Sequence, residues 1–171
     1  MEGGGGYTTS ADDTRDVIVR MRPGSDDATP NANAVMVANL AALAALTGEA
    51  RYHERAAGVI AAFAGELERN IVAHTGLLAA EIDLIAPQQV VLAGTNLEGG
   101  KELMGVIRSI SLPGALQYCL GAGDDSTLPA LAGKRAAGQR ATAYACLGPK
   151  CSPPLTEPTR LGTTLCAQRS V

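Results

Sequence analysis

Four groups of residues in this chain have types and spacings that could do chemistry. Asp26, Asp27 and Asn33 surround the start of a helix-forming stretch, DDATPNANAVMVANLAALAALTGEARY. Carboxylates beside a cavity could do acid/base work on a sugar, as paired carboxylates do in glycosidases. The same residues at a helix start also satisfy unpaired N–H groups and complement the positive end of the dipole. That second use needs no cavity. No single residue here is assigned as acid or base.

The other three groups are weaker. Cys146 and Cys151 frame the stretch CLGPKC. A redox pair wants C-x-x-C, and a zinc ribbon wants a second close pair, whereas Cys119 and Cys166 are single and distant. Two reduced thiols around a Gly-Pro turn are therefore expected. The loop Gly94-Thr-Asn-Leu-Glu-Gly99-Gly100-Lys101 follows a strand and opens a helix, as a phosphate loop does. A phosphate loop needs Lys directly after its second Gly and then Ser or Thr. Here Gly100 intervenes and Glu102 follows, so a tight strand-to-helix turn is the better reading. His53 and His74 have no acidic or cysteine neighbour at ligand spacing. His53 reads as solvated, and His74 as a residue near a helix end, where a cation suits the dipole. Gly133-Lys134-Arg135 with Arg140 reads as a solvated loop. No nucleophile elbow is present from which to build a catalytic triad. No cofactor is expected.

The elements that would position these residues follow from periodicity and punctuation. Thr29 as N-cap and Pro30 as first helical residue predict a helix over 30–46, stopped by Thr47-Gly48. Ala56, Val59, Ile60, Phe63, Leu67 and Ile71 recur every three or four residues and predict a second helix over 50–73. A third, over 77–85, stops before Pro87. Val17, Ile18 and Val19 form a short β-branched run, a strand or an extended arm. The pattern then changes. QVVLAG predicts a strand over 89–94, and further strands are expected over 116–120 and 142–146. Helices are expected over 98–110, 128–137 and 159–166. A strand–helix–strand connection of this length favours parallel pairing. The chain therefore reads as residues 1–87, a glycine-rich lead-in plus helical hairpin, and residues 88–171, a small α/β unit.

Composition bounds the function. Apolar residues are 46% of the chain but aromatics only 3%, with no Trp and Phe63 the single Phe. The core must be built from Ala, Val, Leu and Ile. The net charge of −3 and a pI of 5.4 come without any basic stripe, which argues against nucleic-acid binding. No apolar segment has the length and freedom from charge of a membrane helix. The start, Met1-Glu2 and four glycines, resembles no secretory leader. A soluble, cytoplasmic protein with reduced cysteines is expected.

GGGY at Gly4–Tyr7, DxATPxxN at Asp26–Asn33, NLAALAALTGEARY, VVLAG at Val90–Gly94 and GKRAAGQRATAYACLGPKCSPP occur in one order. As an ordered set they resemble the C-terminal region of the thioredoxin-domain-containing spermatogenesis-associated protein family. That resemblance implies a fold that is mainly α with a small α/β C-terminal unit. It is expected as a partial α/α toroid of helical hairpins, akin to six-hairpin glycosidases and sugar epimerases, followed by about three short parallel strands. It implies a fragment of a carbohydrate-active protein without independent catalysis, with a sugar as the ligand in the parent family. It also includes the Cys146/Cys151 spacing, which leaves a local disulfide or a metal clip as alternatives to reduced thiols. The sequence departs from the family's pattern where a site would lie. Thr8, Thr9 and Ser10 replace Phe-Asp-Thr, and Asp27, Asn31 and Ala32 replace Gly, Ser and Gly. The other reading is a non-catalytic scaffold or interaction segment, expected to self-associate or to assemble with the missing hairpins.

Overall fold

The computed structural model describes residues 5–124 and 126–168. The first four residues of the glycine-rich lead-in lie outside them. The chain divides into two compact units, residues 1–85 and residues 86–171.

The first unit contains three helices. Helix α1 spans Ala32–Thr47, α2 spans Ala50–Arg69 and α3 spans Thr75–Ile85. Helix α1 begins two residues later than Pro30 predicts. Its N-cap is Asn31, whose side-chain oxygen accepts the Asn33 N–H at 2.8 Å. Asn caps a helix at least as well as Thr, and here the buried Asn31 wins. At the other end Gly48 takes φ 71° and donates its N–H to the Ala44 carbonyl at 2.9 Å, the left-handed stop that glycine favours. Helix α2 buries Ala56, Val59 and Phe63 at spacings of three and four. It ends earlier than expected, at Asn70, whose φ of −152° leaves the helical region. A 3-10 turn, Ile71–His74, follows, with the Asn70 side chain accepting the Ala73 N–H at 3.3 Å.

Phe63 and Leu77 are fully buried and sit in one cluster with Val37, Leu40 and Ala41 of α1, Val59 of α2 and Ala80 of α3. Burying side chains of this size contributes about 1.5–3 kcal/mol each to this unit. Of the two readings of Val17–Val19, a strand or an extended arm, the strand does not form. That segment is an arm without regular structure, and Ile18 is fully exposed. Helices α1 and α3 remain apolar on the side away from the cluster: Val35, Leu43, Ile82 and Ile85 are exposed.

The second unit is a mixed sheet with two helices. Strands β1 (Gln88–Ala93), β2 (Leu116–Leu120), β3 (Thr142–Leu147) and β4 (Lys150–Cys151) lie in the order β2-β1-β3-β4. Only β1 and β2 are parallel; β3 runs antiparallel to β1, and β4 antiparallel to β3. This overturns the expected fold class. The chain does not carry three parallel strands after a partial toroid; its sheet has four strands of mixed direction, an α/β unit. The reason lies in the connections. Parallel pairing needs a crossover of a dozen or more residues, which helix α4 (Gly100–Ser109) supplies between β1 and β2. Among its described residues, the segment between β2 and β3 supplies no such helix. The helix expected over 128–137 is a run of turns, closed by Leu131 and Lys134 N–H groups bonding the carbonyls of Leu128 and Leu131. The chain can therefore return beside β1 in the opposite direction.

Helix α5, Pro158–Gln168, closes the unit. Leu161 and Leu165 of α5 and Leu103 and Ile107 of α4 pack with Val90, Leu92, Ala143 and Ala145 of the sheet. Small alanines on β3 let the helices approach closely, as the scarcity of aromatics implies.

Candidate functional site

Asp26, Asp27 and Asn33 lie in the loop that precedes α1, but they do different things. The Asp26 carboxylate accepts the Gly76 N–H at 2.7 Å, the Thr75 hydroxyl at 3.1 Å and the Asn31 N–H at 3.2 Å. Its own N–H donates to the Ala73 carbonyl at 2.7 Å. One side chain thus joins the start of α3 to the start of α1. The Gly76 N–H, chiefly, holds the Asp26 carboxyl below its ordinary value, with further help from Asn31, Thr75 and nearby His74 against a partial desolvation. Gly76 leaves room for this contact: a Cβ would stand 2.6 Å from Asp26 Oδ1, and the carboxylate would have to shift.

Asn33 is almost wholly buried, at 1% exposure. Its Oδ1 accepts the Tyr7 N–H at 2.6 Å, while Nδ2 donates to the carbonyls of Tyr7 and Pro23, both at 3.0 Å. The neighbouring Asn31 amide donates to the Gly24 carbonyl. These two amides fasten the arm that precedes α1. Tyr7 then rests on the helical cluster, with the Arg55 guanidinium 5.4 Å from its ring centre. Gly24 passes so close to the Phe63 ring that a Cβ would collide with it. Asp27 is exposed, and its N–H reaches the Thr29 carbonyl at 3.4 Å. The structure thus brings Asp26 and Asn33 into one polar knot and leaves Asp27 outside it. Within the knot the carboxylate is engaged by two main-chain N–H groups and the Thr75 hydroxyl, and the amide by main chain alone, an arrangement that fixes the backbone.

His74 was expected near a helix end and sits there, but buried, at 5% exposure. Its Nδ1 lies 2.8 Å from the Asn70 carbonyl oxygen and its Nε2 lies 3.4 Å from Glu66 Oε2. It links the end of α2 to the 3-10 turn. His53 is exposed on α2. Nothing in the spacing of the two histidines marks this difference; the break of α2 at Asn70 creates it.

In the second unit, the Gly94–Lys101 loop is a tight turn. Gly94 and Gly99 have φ of 75° and 81°, and a Cβ on Gly100 would meet the Thr95 carbonyl. The basic residues at 134–140 do not act together. Lys134 Nζ donates to the Ala130 carbonyl at 2.5 Å, and burial lowers its pKa. Arg140 instead lies 3.5 Å from Glu157.

Cys146 and Cys151 form a disulfide. This corrects the expectation of reduced thiols and removes the pair as metal ligands, since neither sulfur remains a thiolate. Sequence spacing misses it because C-x4-C is neither the redox nor the zinc pattern. The register supplies what spacing alone lacks: Cys146 and Cys151 are directly opposed on β3 and β4, with Cα atoms 3.9 Å apart. Cys119 and Cys166 lie outside the disulfide, both exposed. Among the described residues no group of three or more His, Cys, Asp or Glu could hold a metal. No helix among them is long and apolar enough to cross a membrane.

Together these features define a segment with one helical and one α/β unit, in which the site-like polar residues serve the backbone. Comparison with known proteins places its kinship. The chain is 31% identical over 169 residues to spermatogenesis-associated protein 20 of Rattus norvegicus, covering 93% of this chain and 21% of that protein. Against the Homo sapiens protein of the same name it is 29% identical over 170 residues, 94% of this chain and again 21% of the relative. These homologies support the family that the ordered motifs resemble, and they do not extend to a toroid. The chain spans about a fifth of the length of the curated relatives it matches. No family model matches the chain, and no solved structure matches it.

Proposed function

We propose that this chain acts as a non-catalytic assembly segment, whose outward helical surface is covered by further helices of the longer protein to which it is related. The observation that carries the reading is the character of α1 and α3. Helices apolar on one face only are at home on a surface, whereas helices apolar all round belong in an interior. Helix α1 buries Val37, Leu40 and Ala41 yet exposes Val35 at 46% and Leu43 at 40%. Helix α3 buries Leu77 and Ala80 yet exposes Ile82 at 65% and Ile85 at 72%. Large exposed apolar side chains grouped on two helices mark an interaction surface. Further helices as the occupant are supported by the length of the relatives, about four fifths of which lies beyond the match.

The sugar-modifying role rests on the resemblance alone. Asp26 and Asn33, which match its motif, are engaged by Gly76, Thr75, Asn31, Tyr7 and Pro23. The test is the behaviour of the isolated chain. Light scattering over a concentration series should show association, and Ile82→Glu with Ile85→Glu should abolish it while circular dichroism stays unchanged. A monodisperse wild-type monomer that binds no hydrophobic dye would refute the reading.

A further inference from the structure

We propose that the Cys146–Cys151 disulfide is a thiol–disulfide exchange site, entered at Cys151 by a small anionic thiol seated between Lys150 and Arg160. Three observations support it. The first is asymmetry of access: Cys146 is 2% exposed, whereas Cys151 is exposed on the edge strand β4. An attacking thiolate can therefore reach only one of the two sulfurs.

The second is that the disulfide is dispensable to the local fold. A disulfide stabilises by closing a loop, and it contributes least where the loop is short. Here the loop is already closed by main chain. Leu147 pairs with Lys150, the Gly148 N–H donates to the Pro87 carbonyl at 3.0 Å, and the Ser152 N–H donates to the Ala145 carbonyl at 2.8 Å. Leu155 and Ala143 exchange two further bonds, at 2.9 and 2.8 Å. Reduction can proceed with β3 and β4 in place.

The third is the surrounding surface. Cys151 lines a groove of about 720 Å³ between the β4 edge and α5, together with Lys150, Arg160, Thr163 and Gln168. Lys150 and Arg160 are exposed, and neither is in an ion pair among the described residues. Two cations beside an accessible sulfur favour a thiol that carries carboxylates, and they stabilise its thiolate as it approaches.

The exchange balances with two molecules of thiol. The first thiol, as thiolate, attacks Cys151 Sγ. A bond forms between those sulfurs, the Sγ–Sγ bond breaks, and the electron pair leaves on Cys146, which takes up a proton. The second thiolate attacks the sulfur of the bound thiol, releasing a small-molecule disulfide and the Cys151 thiolate, which takes up the second proton. The protein gains two electrons and two protons, and the two thiols lose them. Because Cys146 is held directly opposite Cys151 by the β3–β4 register, its thiolate returns to Cys151 and expels the small thiol, so the mixed disulfide is short-lived in the wild-type chain.

The test uses the whole folded chain with reduced glutathione, an anionic thiol, and cysteamine, a cationic one, at matched thiolate concentration and low salt. The wild-type disulfide should open in both without loss of the circular dichroism spectrum, and faster with glutathione. Lys150→Glu with Arg160→Glu should slow the glutathione reaction by about threefold, the scale of exposed charge pairs, and leave cysteamine no slower. With Cys119 and Cys166, which are exposed, both replaced by Ser, oxidised glutathione should form a stable adduct when Cys146→Ser is added, seen by mass, and little when Cys151→Ser is added. Reduction that requires denaturant, an adduct on Cys146 instead, or charge reversal without effect would each overturn the proposal.

Discussion

Replacing Asn33 by Ala measures how far the polar knot before α1 holds the first unit together. The substitution removes one acceptor and one two-way donor. It leaves the Tyr7 N–H, the Tyr7 carbonyl and the Pro23 carbonyl without the partner each has now. An unmade buried hydrogen bond costs about 1–3 kcal/mol per group. Asn33 itself is buried, but its bonding partners are in partly buried surroundings, so water recovers some of the loss. Taking about 1 kcal/mol for each of the three groups gives a destabilisation of about 3 kcal/mol. Urea unfolding followed by circular dichroism at low protein concentration measures the total. Hydrogen exchange at the Tyr7 and Thr9 amides reports whether the arm detaches first. The control is Asp27→Ala, which removes an exposed carboxylate of the same loop and should change stability by less than about 0.5 kcal/mol. Equal effects of the two substitutions would refute the division between a clamping Asn33 and an idle Asp27.

Other outcomes follow from single residues. The Asp26 carboxyl is held below its ordinary value, so its contribution to stability is present at neutral pH and lost as pH falls through the lowered folded-state pKa. The stability gap between wild type and Asp26→Asn should be widest near pH 7 and narrow below about pH 4, as measured by denaturant titration. Asp83 is the opposite case: burial raises its pKa, so its charge opposes folding once ionised. Asp83→Asn should stabilise the chain at neutral pH, with the gain vanishing in acid, where the wild-type carboxyl is protonated. Leu161→Ala, at a fully buried position of α5, should cost about 2–5 kcal/mol in thermal or urea unfolding.

The helices and strands announce themselves in the sequence where apolar periodicity is clean. Ala56, Val59 and Phe63 mark the buried stripe of α2 at the helical period, and Val90–Ala93 mark β1 as an unbroken apolar run, buried throughout. What periodicity does not encode is direction. The sheet is mixed because 128–137 folds as turns rather than as a crossover helix, a weak local preference decided by packing. The disulfide was hidden for a related reason. Its two cysteines meet through the β3–β4 register, and the sequence displays their separation along the chain but not their opposition across it. At the candidate site the residue types were visible and their roles were not. Asp26 and Asn33 owe their function to Gly76, Tyr7 and Pro23, partners distant in sequence.

The position of β1 in its sheet has a consequence for the order of assembly. One of its edges is claimed by β2, reached through a single helix, but the other waits for β3, with Val90 opposite Ala145. A ribosome must therefore release β3 before that edge is closed, while α1, α2 and α3 need only near neighbours to form. During synthesis Val90, Val91 and Leu92 are the residues left with a bare flank longest, and a nascent chain stalled before Thr142 would present them to chaperones or to other unfinished chains.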